Sequence, residues 1–448
     1  MLISTFNKKH YDIAIVGAGP AGISLALKLT ENNKKNVILI ESGLLTYDKN
    51  IHHLSKVDSL GDLSNEYFSG HSQRVLGGSS TVWTGFCSQL ETRAFTNKEW
   101  PISFDELSKY YPAAAGILEL PQESYTYANK KISNNNHSLL YRPYFKSKPV
   151  RFGEKYFQAL KSSDQIDVLL GHSCKEIISK GDRVTELLIS ETLAADKKFI
   201  VTAHDYILAC GGIGNAKLML VNQLADKSPV GQYFMEHPHI FGAGQVEINK
   251  DMIDPVLLPR LGERKVVHAL QLSDQFCIDN NLLSFTVAFK DKNESAQSIL
   301  GTKVETYTSD VEIRAEMTPL KRNVISLNDN IDLNADNVPK IDFKFRYQDM
   351  AQRCWQAFAK ELLISGLGRA TVAPKVFEPI TGGGHFMGST RMGLDQSQSV
   401  VDSNCRVHGV NNLYIAGSSI FPSSGASNPT YSIVALSLRL AEHILNKH

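Results

Sequence analysis

A short β-branched run, Tyr11-Asp12-Ile13-Ala14-Ile15-Val16, leads without a break into Gly17-Ala18-Gly19-Pro20-Ala21-Gly22, and this junction restricts the fold more than any other stretch. The pattern predicts a strand, a glycine turn and a helix from Pro20 to about Asn32, with apolar Ile23, Leu25, Ala26, Leu27 and Leu29. Asn36 to Ile40 reads as a second buried parallel strand ending at Glu41. In such a βαβ unit Gly17 permits the tight turn, Gly19 lets the backbone approach a pyrophosphate, and Gly22 lets helix and strand pack closely. The helix start, with Pro20 and Ala21 in its first turn, offers N–H groups and a positive dipole to that anion. Glu41 falls where ribose hydroxyls are accepted, and a carboxylate there repels a 2′-phosphate. The unit is therefore a dinucleotide cradle for NAD or FAD, with NADP disfavoured.

A chain of 448 residues exceeds what one hydrophobic core usually supports, so two domains or one elaborated domain are expected. With 42% hydrophobic and 21% charged residues the composition is that of a soluble globular enzyme. Lys and Arg total 47 against 46 Asp and Glu, a net charge of +1, so no global field draws the protein to nucleic acid or anionic lipid. Lys34-Lys35 reads as a solvated turn. The six cysteines, Cys87, Cys174, Cys210, Cys277, Cys354 and Cys405, contain no CxxC pair, which argues against a disulfide framework and a structural zinc site. No metal site is expected. Met1 to His10 is too short and polar for a signal peptide, and no apolar run approaches the roughly 20 residues of a membrane span. A cytoplasmic location follows as an expectation.

Farther along, Arg74-Val75-Leu76-Gly77-Gly78-Ser79-Ser80-Thr81-Val82-Trp83-Thr84-Gly85 sets small residues and hydroxyls beside one large aromatic. Such a segment either wraps a flat, polar-edged ring or is a surface loop leading into a helix. Asp205 to Ala209 reads as another strand of the same sheet, running into Cys210-Gly211-Gly212-Ile213-Gly214 and a helix from Ala216 to Val221. From about Ile240 to Arg346 the pattern shifts to runs such as Lys265 to Leu270, Leu282 to Phe289, Val311 to Met317, Val324 to Leu327 and Ile341 to Phe345. These predict an antiparallel sheet. Asp291 to Ser298 is the expected flexible loop, with Asn328 to Asn330 and Asn334 to Asn337 as surface turns.

The last quarter holds Thr381-Gly382-Gly383-Gly384-His385-Phe386, then the strand Leu413 to Ala416, Gly417-Ser418, and Ser427-Asn428-Pro429-Thr430. Asn before Pro predicts a helix start with Asn428 as N-cap and Pro429 in first position, continuing through Ile433, Leu436, Leu440 and Ile444. By pattern alone His385 is either a packed histidine in a glycine-rich turn or a base whose ordinary pKa lies near working pH.

Taken in order, these motifs resemble the glucose-methanol-choline oxidoreductase family along the whole chain. The resemblance is carried by the GxGxxG unit, Gly77-Gly78-Ser79-Ser80, Trp100-Pro101-Ile102-Ser103-Phe104 leading to Tyr110-Tyr111, Gly231 to Pro238, and the two C-terminal blocks. It is closest to the bacterial sugar-oxidising and pyranose-oxidase-like branches, whose C-terminal pair is His and Asn, here His385 and Asn428. It implies an α/β fold: a Rossmann-like FAD-binding domain built on a doubly wound parallel sheet, and a discontinuous substrate domain containing an antiparallel sheet. The implied division is 1–95, 151–239 and 375–448 for FAD, 96–150 as a substrate or cap segment, and 240–374 for substrate.

The resemblance implies FAD contacts at Gly17, Gly19, Pro20, Ala21, Gly22, Glu41 and Ser42, and at Gly77, Gly78, Ser79, Ser80, Trp83, Thr84 and Gly85. Further contacts fall to Cys174, Ala209, Gly211, Gly417, Ser418, Asn428, Pro429 and Thr430. Pyranose oxidases hold the flavin covalently through a His where this chain has Val82, so the FAD here is expected to be non-covalent. The chain is shorter than most relatives, implying trimmed loops and a site that is either more open or closed by a partner.

The implied reaction oxidises a CH–OH group of a sugar, polyol or hydroxylated metabolite by hydride transfer to flavin N5. His385 is the base and Asn428 positions the substrate oxygen. The N–H of Thr430 faces the flavin N1/C2 carbonyl edge. Activity is expected to fall on acidification near the ordinary imidazole range, roughly pH 6 to 7. His237 and Arg391 are expected to brace, and Cys87 and Cys405 to fill space. The substrate is a small molecule, and the acceptor, whether O₂, a quinone or a redox protein, stays open. A lyase-type enzyme retaining FAD as scaffold is the alternative.

Overall fold

Aliphatic and β-branched side chains dominate Tyr11–Val16, Val37–Glu41 and Ala203–Leu208, and all three are buried parallel strands. The computed structural model describes residues 10–31, 34–96, 99–126, 131–133, 136–194, 197–252, 266–290, 293–299, 302–328, 337–345, 348–372 and 380–447. Its five-stranded parallel sheet runs Leu413–Ile415, Ala203–Leu208, Tyr11–Val16, Val37–Glu41, Ile166–Leu170. Segments remote in sequence thus meet in one layer, with the first strand at its centre.

The helix after the glycine turn spans Pro20–Leu29, shorter than the expected reach to Asn32, and packs on the final helix, Thr430–Lys447. Residues 1–9, 32–33 and 448 lie outside the described residues. A small antiparallel sheet of His172–Lys180, Arg183–Glu191 and Lys198–Val201 adjoins the parallel one. The Tyr206 hydroxyl ties the two by donating to the Thr185 carbonyl at 2.7 Å.

A larger antiparallel sheet runs Gly368–Val372, Pro238–Asn249, Thr302–Ala315, Phe285–Phe289, Val266–Leu272, Asn136–Lys146, Phe86–Cys87. The helix Gln348–Ile364 covers its apolar face, since Ala351, Trp355, Phe358 and Leu362 recur at helical spacing and are all buried. On the other face His239, Arg314, Thr286 and Gln271 stand opposite one another across successive strands. That polar row includes His239 and Arg314, which line the central cleft.

Several expectations change. Val324–Ser326 and Lys340–Phe343 are strands, but they pair in a separate small sheet with Asp58–Gly61. Of the expected loop, residues 291–292 lie outside the described residues and Asn293–Ile299 is a strand paired along Thr302–Ala315, a neighbour that local reading cannot see. Asn136–Lys146, from the segment expected to serve substrate or cap, is an integral strand of the large sheet. The helix after Cys210 begins at Gly211, before the expected Ala216. Of the expected turns, residues 329–336 lie outside the described residues, and Asn337 lines the cleft. Among the described residues no helix is long and apolar enough to cross a membrane.

Candidate active site

The site is built on an interrupted antiparallel ladder. Pro238 pairs with Gly382 and Met235 pairs with Met387, so between these two pairings residues 236–237 face the longer segment 383–386. The surplus bulges into the cleft. Only glycines fit its crowded start: a Cβ on Gly383 would strike the His385 and His239 rings, and Gly384 has φ +72° with His71 against it. Outside the ladder the bulge needs other acceptors for its N–H groups, and the buried Glu236 carboxylate supplies them. It accepts from Gly383 N–H at 3.2 Å, His385 N–H at 2.8 and 2.9 Å, its neighbour His237 N–H at 2.7 Å and the Tyr67 hydroxyl at 2.7 Å. Tyr67 in turn accepts from Gly384 N–H at 2.7 Å.

The bulge delivers His385. Its Nε2 lies 3.2 Å from Asn428 Nδ2, and its Nδ1 lies 2.8 Å from Nδ1 of His237. The expected pair therefore meets, although Asn428 does not cap the last helix. By hydrogen bonding that helix starts at Thr430, with Ile433 N–H donating to the Pro429 carbonyl at 2.8 Å, while the Asn428 amide turns to His385. Asn428 Oδ1 is buried and has no partner among the described residues. The loop before it is braced from below: Ser427 donates to Glu91 at 2.9 Å, and Ala426 N–H donates to the same carboxylate at 3.2 Å. Arg142, 3.7 Å from Glu91, donates to Ser427 Oγ at 2.8 Å. Trp100, from the conspicuous Trp-Pro segment, donates to Ser423 at 2.8 Å, so that segment supports the same loop.

Burial sets the protonation states. It pulls His237 down to about 4, and His239 and His385 well below the ordinary imidazole value, with Arg314 and the neighbouring imidazoles adding to the effect around His385. The expected half-point for His385 near the free imidazole is thereby corrected downward. Burial pushes the Glu236 carboxyl up to about 7, against the pull of its four donor groups.

A cleft of about 640 Å³ joins His385 and Asn428 to the glycine turn. Along it lie Gly17, Gly19, Pro20, Ala21, Glu41 and Ser42, then Gly78, Ser79, Ser80, Trp83 and Thr84. Cys174, Ala209, Gly211, Gly417, Ser418, Pro429 and Thr430 complete the expected set that borders it. Gly22, Gly77 and Gly85 are not on its wall. They serve packing instead: a Cβ on Gly22 would run into the Gly17 carbonyl, one on Gly77 into Gly153, and one on Gly85 into the Ser147 carbonyl. Cys174 and Cys210 border the cleft with thiols raised by burial, while Cys87 and Cys405 are buried away from it. Arg391 braces as expected, 4.4 Å from the Tyr233 ring centroid and 3.8 Å from Glu99. Local pattern had not singled out Tyr67, His71, Glu236, Phe241, Glu312 or Arg314, because each matters through a partner far away in the chain. No group of three or more His, Cys, Asp or Glu among the described residues could hold a metal ion.

The cleft fits a dinucleotide. A Cβ on Gly19 would meet nothing within 4 Å, leaving open space beside the helix start where a pyrophosphate needs it. The Glu41 carboxylate takes the N–H of Ala18 and of Gly43 at 2.8 Å each and the Ser42 hydroxyl at 3.2 Å, and retains acceptor capacity for a ribose hydroxyl.

Residues 319–437 match the family model described as GMC oxidoreductase. Paromamine 6′-oxidase of Streptomyces fradiae is 22% identical, covering 98% of this chain and 92% of its own length. Pyranose 2-oxidase of Tricholoma matsutake is 20% identical over 83% of this chain and 73% of its own. Among solved structures, pyridoxine 4-oxidase from Mesorbium loti superposes with a TM-score of 0.60 at 16% identity, covering 98% of this chain and 99% of that one. Formate oxidase of Aspergillus oryzae gives 0.62 at 15% identity, covering 99% of each. With the motifs in order and the fold in agreement, residues 319–437 are those of a GMC oxidoreductase, and the chain as a whole is similar to FAD-binding oxidases of that family.

Proposed function

We propose that the protein oxidises a CH–OH group of a sugar, polyol or hydroxylated metabolite to a carbonyl, with His385 taking the hydroxyl proton and Asn428 orienting the oxygen. The observation that carries this reading is the approach of His385 Nε2 to Asn428 Nδ2, 3.2 Å, in the cleft that also holds the glycine turn. FAD, held between Gly17–Ala21 and the Ser79–Thr84 and Gly417–Thr430 segments, supplies the hydride acceptor when bound. Every remaining task falls to side chains and backbone. Burial keeps the His385 ring neutral at working pH, so a lone pair is ready for the proton. The Asn428 amide donates to the substrate oxygen and fixes its distance from that lone pair, a constraint on which rate depends steeply. The start of the Thr430–Lys447 helix leaves the Thr430 N–H free to stabilise negative charge on a bound ring. The sugar-acting relatives, paromamine 6′-oxidase and pyranose 2-oxidase, support a hydroxylated substrate.

The test is an anaerobic screen of sugars and polyols against the purified flavoprotein, following the visible flavin band. A substrate bleaches it. His385→Ala should keep the resting flavin spectrum and lose roughly 10²- to 10⁴-fold in bleaching rate, the usual contribution of a general base. A compound consumed with the band unchanged would instead indicate non-redox chemistry on the same scaffold.

A further inference from the structure

We propose that His237 is a positioning residue that holds the His385 imidazole in the one tautomer able to accept a proton at Nε2. The inference rests on His385 as the base and goes on to say what makes it competent.

A 2.8 Å approach of two ring nitrogens requires one ring to donate and the other to accept. The far side of His237 decides which. Its Nε2 lies 3.1 Å from the Ser424 carbonyl, a group that can only accept, so Nε2 carries the hydrogen. His237 is 1% exposed and burial holds it neutral, so its Nδ1 is bare. The hydrogen between the rings therefore belongs to His385 Nδ1. His385 Nε2 is left with its lone pair toward Asn428 and the cleft. Without an acceptor at Nδ1 the ring is free to carry its hydrogen on Nε2, and that nitrogen then faces the substrate hydroxyl as a donor and takes no proton.

The choice of partner has a chemical consequence. A carboxylate in the place of His237 would orient His385 and also raise its basicity. A neutral imidazole orients it without adding charge. The nearby carboxylate, Glu236, spends its oxygens on backbone N–H groups and Tyr67, not on the ring. His239, 5.8 Å away between ring centroids, has no partner for its buried Nε2 among the described residues and does not compete for His385 Nδ1. When the substrate O–H breaks and Nε2–H forms, the imidazolium keeps its Nδ1–H donated to His237, so only one proton changes place.

The decisive measurement is ¹⁵N NMR of histidine-labelled holoenzyme, with the His385 signals assigned by their loss in His385→Ala. The expected result is a protonated Nδ1 and an unprotonated Nε2. In His237→Leu the Nε2–H form should appear, kcat should fall by roughly a hundredfold or more, and KM and FAD content should stay near the parent values. His237→Asn, which returns an acceptor oxygen close to the lost Nδ1, should recover much of the loss in kcat. A parent spectrum with Nε2 protonated overturns the proposal, as does an unchanged kcat in His237→Leu. Should the leucine variant not fold, the parent spectrum and the asparagine variant still decide. Full turnover in His385→Ala would sink the assignment of the base, while the spectrum would still report the tautomer.

Discussion

Glu236 is the clearest case of a residue whose importance is three-dimensional. Its partners, Tyr67 and the N–H groups of His237, Gly383 and His385, are all donors and favour the carboxylate, while full burial favours the acid. Burial wins, and the carboxyl sits at about 7 against 4.5 for a free glutamate. The sign for stability follows. Between pH 4.5 and 7 the folded chain binds a proton here that the unfolded chain does not, so this group's contribution is full below 4.5 and is lost as pH rises through 7. The lowered histidines act oppositely: for His237, stability is full above 6.5 and is lost as pH falls through about 4. Comparing the parent with Glu236→Gln at each pH cancels those terms. The variant should be less stable throughout, and its deficit should grow by roughly 2–3 kcal/mol between about pH 8 and pH 5 in denaturant titrations. A deficit independent of pH would show that the carboxyl does not titrate in that window. In the sequence, local pattern left His385 between two roles and made Asn428 a helix cap, and it was the family resemblance that singled them out as a pair. Glu236 did not stand out, because its Tyr67 partner lies 169 positions away and burial has no local signature.

Among the elements, the glycine turn separates two jobs that one motif name merges. Gly22 is a packing glycine, since a Cβ would strike the Gly17 carbonyl whether or not a ligand is present. Gly19 is the proposed ligand glycine: its φ of −83° suits any residue, and the space beside it is open. Gly19→Ala should leave the thermal stability of the FAD-free protein unchanged while weakening FAD affinity by tenfold or more, on the order of 1–2 kcal/mol. Gly22→Ala should lower the stability of the FAD-free protein itself. Melting curves with and without FAD separate the two, and equal behaviour of both variants would refute the division. The strand–turn–helix was legible because it is contiguous and its signals agree. The sheet membership of Val324–Ser326, Lys340–Phe343 and Asn293–Ile299 was not, because a strand's own residues show that it pairs but not with what. The register of Pro238 on Gly382, which creates the bulge that carries His385, is non-local in the same way.

In the molecule as a whole, the chain's beginning and end are joined twice, once by protein and once by the cofactor the cleft fits. The first helix packs on the last, and Asn215 links the middle to the end by donating to the Ala416 carbonyl at 3.0 Å and Ser419 Oγ at 2.9 Å. These contacts are made by protein atoms alone, so the FAD-free chain should retain its fold. In the proposed site FAD would add a second tie across Gly17–Ala21, Ser79–Thr84 and Gly417–Thr430, and a ligand that binds only the folded state stabilises it by mass action. At free FAD about a thousandfold above Kd this amounts to about 4 kcal/mol, enough to raise the melting temperature by several degrees. Val82, half-exposed on the cleft wall, offers no nucleophile for a covalent link, so the tie should be reversible. Acid precipitation should leave a colourless pellet and a yellow supernatant. Protein freed of FAD under mild conditions should melt lower, and added FAD should restore the original curve along with the visible spectrum. A yellow pellet would reveal a covalent bond at another residue, and a melting temperature indifferent to FAD would mean that the two ends are held by protein contacts alone.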